Sequence, residues 1–123
     1  MNATPSPALK VARAYYDAWT AKDLDGAMAH IADDIVCHAP AGLIEGAEAY
    51  RAFMAPFLQI LVGSRKIAGF GDEETALVMY DTETVPVKSA PAAECVTVRD
   101  GKIVESWFVF DRAPFEAARR AGT

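Results

Sequence analysis

The feature that most constrains the fold is a two-residue turn signal, Asp100-Gly101, between two stretches of alternating apolar and polar residues. Asp-Gly favours the type I′ turn that joins antiparallel strands, because both of its central residues need positive φ angles. The flanking stretches, Ala92 to Arg99 and Lys102 to Phe110, are rich in β-branched and aromatic residues, which favour strands. The C-terminal third of the chain is therefore predicted to contain a β-hairpin.

Further strands are predicted ahead of this hairpin. Thr75 to Val85 alternates in the manner of a long strand, and Arg65 to Phe70 is a shorter candidate. The acidic residues 72–74 separate the two as a turn, and Pro86 to Pro91 forms a loop before the hairpin. These segments together predict an antiparallel meander.

The first half of the chain shows helical periodicity instead. Ser6 as N-cap and Pro7 at the first helical position predict a helix that runs to about Ala21. Asp23 is predicted to cap a second, shorter helix. The apolar residues which that helix is expected to bury are Leu24, Ala27, Met28 and Ile31.

A third helix is predicted from about Ala47 to Val62, after Asp33-Asp34 ends the second helix and Ile35 to Ala39 forms a strand. Pro56 is expected to kink this helix, and Gly63 is a plausible residue just past its end. Its apolar stripe, at helical spacing, consists of Tyr50, Phe53, Met54, Phe57, Leu58 and Leu61.

The order of these elements predicts an α+β fold, with about three N-terminal helices packed on one face of a curved, mainly antiparallel sheet. The 123 residues are the length of one domain, and we treat residues 1–123 as such. Hydrophobic residues make up 52% of the chain, enough for a core and the wall of a pocket.

Charge and composition exclude several functions. A net charge of −5 without a Lys/Arg cluster disfavours nucleic-acid binding. No apolar run approaches the roughly 18–20 residues of a membrane span. Met1 to Pro5 lacks the features of a signal peptide, so we expect a cytoplasmic protein with reduced cysteines at positions 37 and 95. His30 is expected at the surface, and the spacing of the histidines and cysteines predicts no metal site.

Four segments, in the same order along the chain, resemble a known superfamily. They are Tyr15 to Met28, Ala32 to Val36, Gly42 to Phe53, and Asp100 to Trp107. Together they are similar to the nuclear-transport-factor-2-like superfamily, in its SnoaL-like and ketosteroid-isomerase-like branch. The resemblance implies a cone-shaped fold around an apolar pocket, no cofactor, and a homodimer formed through the outer sheet face, where Trp107 and Val109 are expected to lie.

The resemblance also implies roles for individual residues. In ketosteroid isomerases, a tyrosine and a carboxylic acid donate hydrogen bonds to an oxyanion, while an aspartate shuttles the proton. The apolar site keeps this carboxylic acid protonated at neutral pH, so that it can donate. Tyr15 falls at the donor tyrosine and Glu94 at the donor acid, whereas the shuttle position holds Ala39. Its neighbour His38 and the strand residue Asp81 are the alternative candidates for the base.

Two other groups on this fold match less well. Where SnoaL-like cyclases have a sequence similar to His-Trp-Asp, this chain has Ser106-Trp107-Phe108. Limonene-epoxide-hydrolase-like enzymes pair an arginine with an aspartate at positions that hold Met79 and Asp81. The predicted substrate-binding residues are Tyr16, Trp19, Phe53, Phe57, Met79, Ser106, Phe108 and Phe110.

Two functions stay open at this point. One is proton-transfer chemistry of the isomerase, cyclase or hydrolase type on an apolar small molecule, with Tyr15, His38, Asp81 and Glu94 as the catalytic groups. The other is a non-catalytic dimeric module that binds such a ligand, since Ala39, Met79 and Phe108 have replaced the usual catalytic side chains.

Overall fold

The structure is a computed structural model that describes residues 6–121. Met1 to Pro5, on which the signal-peptide argument depends, lie outside the described residues. The helices are α1 (Pro7–Thr20), α2 (Leu24–Met28), α3 (Ala47–Ile60) and α4 (Ala113–Ala121). The strands are β1 (Ile31–Ala39), β2 (Gly42–Glu45), β3 (Leu61–Gly71), β4 (Thr75–Thr84), β5 (Ala90–Arg99) and β6 (Lys102–Phe110).

The strands form one curved, unclosed six-stranded sheet in the order β2-β1-β6-β5-β4-β3. All neighbouring pairs are antiparallel except β1 and β6, which run parallel. The predicted turn joins β5 to β6, with φ angles of 53° at Asp100 and 76° at Gly101. The predicted α+β class with a mainly antiparallel sheet is confirmed.

The helices cover one face of this sheet. Helix α1 packs on β3, β4 and β5, while α3 packs on β1 and β2. Both predicted N-caps are confirmed: Ser6 Oγ accepts from the Leu9 N–H, and Asp23 Oδ1 accepts from the Gly26 N–H. The largest fully buried apolar side chains between the layers are Trp19, Tyr50, Ile35, Leu61 and Ile103.

The predicted end of the second helix at Asp33-Asp34 is wrong, because β1 begins at Ile31 and includes both aspartates. The register of β1 against β6 shifts between Ile31 and Val36. Such an irregularity lets two consecutive residues face solvent, which a regular alternation forbids. The short strand β2, Gly42–Glu45, was not predicted; it pairs with the end of β1 as a hairpin.

The predicted stop of α3 at Gly63 is also wrong. The helix ends at Ile60 and the chain continues directly into β3, with Leu61 already extended. The Ile60 carbonyl accepts a hydrogen bond from the Val85 N–H over 2.9 Å. This contact satisfies a helix-end carbonyl without a glycine cap, so β3 is longer than the predicted Arg65 to Phe70.

We expect Gly101→Ala to lower the free energy of unfolding by about 1 kcal/mol, because alanine is strained at a φ of +76°. Gly63→Ala is the matched control. At both positions an added Cβ meets no atom within 4 Å, but Gly63 has no such φ. Urea unfolding of both variants checks this, and equal losses of stability would contradict it.

Candidate functional site

A cavity of about 420 Å³ lies between the helices and the sheet. Helix α1 contributes Tyr15 and Trp19 to its wall, and the central strands contribute Tyr80, Glu94 and Phe108. The remaining lining side chains come from α3, the end of β6 and α4, together with Thr82 of β4 and Arg112 just before α4. The cavity volume is within the range of about 300–1,000 Å³ that is usual for small-molecule sites.

Aromatic side chains dominate the wall. Of the predicted substrate-binding residues, the five that line the cavity are Trp19, Phe53, Phe57, Phe108 and Phe110. Trp19 packs against Phe57 with ring centroids 5.7 Å apart, and Phe53 meets Phe108 edge-on at 6.2 Å. These tilted arrangements are favourable for aromatic pairs, and they make the wall of the cavity apolar and well packed.

A carboxyl group lies in this apolar surface. The Tyr80 hydroxyl donates to Glu94 Oε1 over 2.9 Å, and both groups are buried. In the antiparallel register Val78 opposes Glu94, so Tyr80 is its diagonal neighbour on the same face. Burial raises the pKa of Glu94 to about 7, and the hydrogen bond from Tyr80 lowers it in part.

A second polar pair lines the same cavity. The hydroxyls of Tyr15 on α1 and Tyr50 on α3 are hydrogen-bonded to each other, and Tyr15 also lies 3.5 Å from Met54 Sδ. Burial, the neighbouring tyrosine and the charge of Glu94 raise the pKa of Tyr15 well above its ordinary value. Burial and Glu94 do the same for the pKa of Tyr50. Both hydroxyls therefore stay protonated at neutral pH and can donate.

Of the two adjacent tyrosines that were predicted for the site, Tyr15 lines the cavity and Tyr16 does not. Tyr16 is buried with its hydroxyl 2.7 Å from Ser64 Oγ. Ser106 is also buried behind the cavity wall. Its Oγ makes no hydrogen bond of ordinary geometry, although it lies close enough to Glu94 to help lower the pKa of that carboxyl.

Asp81 and Met79 lie away from the cavity. The buried residues of β4 are those at even positions, among them Tyr80 and Thr82, so Met79 and Asp81 point from the other face. The Asp81 carboxylate accepts hydrogen bonds from Ser89 Oγ and from the Ala90 N–H at 2.8 Å. These contacts close the β4–β5 loop, and the geometry gives no support to the predicted role of Asp81 as a base.

His38 also lies outside the cavity. Its ring stacks on Trp107 with centroids 3.7 Å apart, and its Nε2 lies 2.8 Å from Glu105 Oε2. On β1 the buried neighbour is Cys37, so His38 faces the outer side of the sheet. Of the four residues predicted as catalytic, the structure brings only Tyr15 and Glu94 together at the cavity.

The cysteine beside His38 points inward. Cys37 is fully buried, and burial together with the charge of Glu94 raises the pKa of its thiol to about 11. A thiol with so high a pKa is protonated at neutral pH and is a poor nucleophile. Cys37 therefore acts as a small apolar residue behind the site.

Sequence reasoning missed several lining residues. Tyr50 was predicted only as part of a helical stripe, and Tyr80 lies in the predicted strand Thr75 to Val85 without a predicted role in the site. The sequence of β4 does contain a signal for Tyr80. The residues at even positions are less charged than those at odd positions, which include Asp81 and Glu83, so the even positions are the better candidates for the buried face. A short terminal helix from Pro114 to about Arg120 was predictable from the sequence, but its position over the cavity was not. The lining residues at this end are Arg112, Phe115, Glu116 and Arg119.

Residues 6–121 show neither a metal-ligand cluster nor a membrane-spanning helix. No three histidine, cysteine, aspartate or glutamate side chains in that part of the chain come together as metal ligands. No helix within the same residues has both the length and the apolar character needed to cross a membrane.

Comparison with known proteins agrees with this architecture. A crystal structure of a protein from Kribbella flavida is 62% identical, covers 94% of this chain and 95% of its own, and superposes with a TM-score of 0.92. An NTF2-like protein of unknown function from Cytophaga hutchinsonii has 17% identity, coverages of 94% and 99%, and a TM-score of 0.74. A candidate polyketide cyclase from Xanthomonas campestris has 19% identity, coverages of 91% and 96%, and a TM-score of 0.75.

The search of curated proteins gives no match. The family model that describes the SnoaL-like domain matches residues 12–106, which is most of the chain. The chain shares the fold of NTF2-like proteins, and it belongs to the SnoaL-like family.

Proposed function

We propose that this protein catalyses cofactor-independent proton transfer on a lipophilic small molecule bound in the cavity, in the cytoplasm. The observation that carries the proposal is the Glu94 carboxyl, held by Tyr80 in an apolar wall with a pKa of about 7. An acid or base works best when its pKa is near the working pH, since both protonation states are then populated.

In this proposal Glu94 is the group that moves the proton. On a β,γ-unsaturated carbonyl ligand, its carboxylate removes a proton from the α carbon, and the electron pair passes to the carbonyl oxygen as a dienolate. The protonated Glu94 then returns the proton at the γ carbon, while the carbonyl re-forms and the carbon–carbon double bond moves to the α,β position. The net reaction is an isomerisation, which consumes nothing else.

The tyrosine pair supplies the second requirement, stabilisation of the negative oxygen. Tyr15 and Tyr50 line the cavity and keep their protons at neutral pH, because their pKa values are well above the ordinary value. A preorganised donor in an apolar site is worth about 10²–10³ in rate. Tyr80 is a positioning residue, because its hydroxyl is engaged with Glu94.

One observation favours the alternative, a non-catalytic module that binds the same kind of ligand. The hydroxyls at the cavity already have protein partners: Tyr15 pairs with Tyr50, and Tyr80 donates to Glu94. A ligand oxygen must compete with these bonds to be held. Binding without turnover would be the outcome that supports this second function.

We also propose that the protein acts as a homodimer through an outer patch, defined as Leu77, Met79, Trp107 and Val109. The register aligns Leu77 with Cys95 and Trp107, and Met79 with Ala93 and Val109, so the patch is continuous across three strands. Trp107 is 55% and Val109 59% exposed. An exposed apolar patch of this kind is typical of an interaction surface.

Glu94→Gln is expected to lower the rate of α-proton exchange of 2-tetralone in D₂O by at least about 100-fold, because glutamine cannot accept the proton. Proton NMR measures the loss of the α-proton signals. Glu83→Gln is the matched control, since it removes an exposed carboxylate of the neighbouring strand β4. Unchanged exchange in Glu94→Gln would refute the assignment, and binding without exchange in the wild type would favour the alternative.

The exchange rate of the wild type should rise with pH through about 7, where Glu94 loses its proton, and then level off. In Tyr80→Phe the inflection should move to higher pH, because the hydrogen bond from Tyr80 lowers the pKa of Glu94. The pH–rate profile of both proteins measures this. An inflection at the same pH in both would show that Tyr80 does not set the pKa of the working group.

Trp107→Glu is expected to shift the protein from dimer to monomer, because the glutamate places a charge in the apolar outer patch. Sedimentation velocity measures the change. Val85→Glu is the control, since Val85 is 76% exposed but lies outside the patch. A wild-type protein that sediments as a monomer would overturn the dimer.

A further inference from the structure

The mouth of the cavity is built by α4, which follows the last strand. The Asp111 carboxylate accepts from the Ala113 N–H over 3.0 Å and so starts the helix. Phe115 then packs edge-on against Phe110, with ring centroids 5.6 Å apart. This contact holds the helix against the cavity, so that one of its faces forms part of the wall.

The charged side chains at this end of the cavity include two arginines and one glutamate. Arg112, Glu116 and Arg119 all line the cavity. Arg112 lies 3.6 Å from Glu116, an exposed pair in which the two charges offset each other. Among residues 6–121, Arg119 forms none of the ion pairs found, so the mouth retains one uncompensated positive charge.

This positive charge stands out in a chain whose net charge is −5. A chain with this net charge repels anions over most of its surface. A guanidinium group at the entrance of the cavity attracts anions locally, to that entrance. Guanidinium groups match carboxylates well, because they can donate two parallel hydrogen bonds.

We propose that the cavity selects compact aromatic ligands that carry a carboxylate or a comparably acidic oxygen, with that group at α4 beside Arg119 and Arg112. The aromatic skeleton packs among Trp19, Phe57 and Phe110, and the opposite end of the ligand reaches Glu94. The inference rests on the proposed function in one respect: the cavity must be a ligand site.

In this arrangement the two ends of the cavity bind different groups of the ligand. At the inner end, Glu94 and the tyrosines meet a neutral carbonyl or hydroxyl group. At the mouth the acid stays partly in water, so its charge is never fully desolvated. The volume of about 420 Å³ lies low in the usual range for ligand sites, which fits a skeleton of few rings.

The test compares 6-hydroxy-2-naphthoic acid with its methyl ester, which has the same rings but no charge. Titration calorimetry at low ionic strength measures both dissociation constants. Two-dimensional NMR locates the site, because the indole N–H of Trp19 reports on the cavity and that of Trp107 on the outer face. The wild type is expected to bind the acid about tenfold more tightly than the ester, and to lose this preference as salt is added.

Arg119→Gln should reduce the preference for the acid to about twofold or less, with ester binding unchanged. Arg120→Gln is the matched control, because it removes the same charge from the next residue, which does not line the cavity. Equal binding of acid and ester by the wild type, or a full preference in Arg119→Gln, would overturn the proposal. So would a probe that shifts Trp107 and leaves Trp19 unchanged, or no binding of either probe.

Failure of the proposed function gives a different result. If Glu94→Gln leaves proton exchange unchanged while the acid preference still depends on Arg119, the catalytic assignment fails and the ligand selectivity stands. If exchange depends on Glu94 but the acid and the ester bind equally, the catalytic assignment stands and the ligand selectivity fails.

Discussion

The burial of the Glu94 carboxyl is the constraint on which the site depends. Its pKa of about 7, against an ordinary value of 4.5, means that the folded protein holds the proton over a pH range in which the unfolded chain has lost it. Stability from this group is therefore present at low pH and declines as pH rises from about 4.5 to about 7. At neutral pH a buried carboxyl group of this kind lowers the stability of the fold. Its presence in the cavity wall is therefore an argument for a function other than stability.

The sheet explains why this carboxyl meets the tyrosines. Antiparallel pairing of β4 and β5 places Tyr80 diagonally across from Glu94 on the concave face, and α1 and α3 bring Tyr15 and Tyr50 to the same space. The same alternation sends the apolar residues of the outer patch to the opposite side. One sheet thus presents a lined cavity on one face and an exposed apolar surface on the other.

Much of the fold could be read from the sequence, because local signals and tertiary structure agree there. The caps at Ser6 and Asp23 and the Asp100-Gly101 turn are set by a few neighbouring atoms. The errors at Asp33-Asp34 and Gly63 have another origin. An irregularity against β6 and a carbonyl satisfied by Val85 depend on partners distant in the chain.

The site was predictable only in part, for a related reason. The positions of Tyr15 and Glu94 on a helix and a strand with clear periodicity bring them to the cavity, and most of the aromatic wall follows from the same patterns. The placements of Met79 and Asp81 came from a resemblance, and the alternation of β4 points both residues the other way. The α4 mouth could not be foreseen, since its position is fixed by the tertiary contact of Phe115 with Phe110.

The pKa of the Glu94 carboxyl is the quantity on which the account depends most directly. Carbon-13 NMR of protein labelled at the glutamate carboxyl carbons, titrated from acid to mild alkali, measures it, and the signal missing from Glu94→Gln provides the assignment. The account predicts a midpoint near 7 for this resonance. A midpoint near 4.5 would show a solvated, ionised carboxylate at neutral pH and would contradict the proposed role of Glu94.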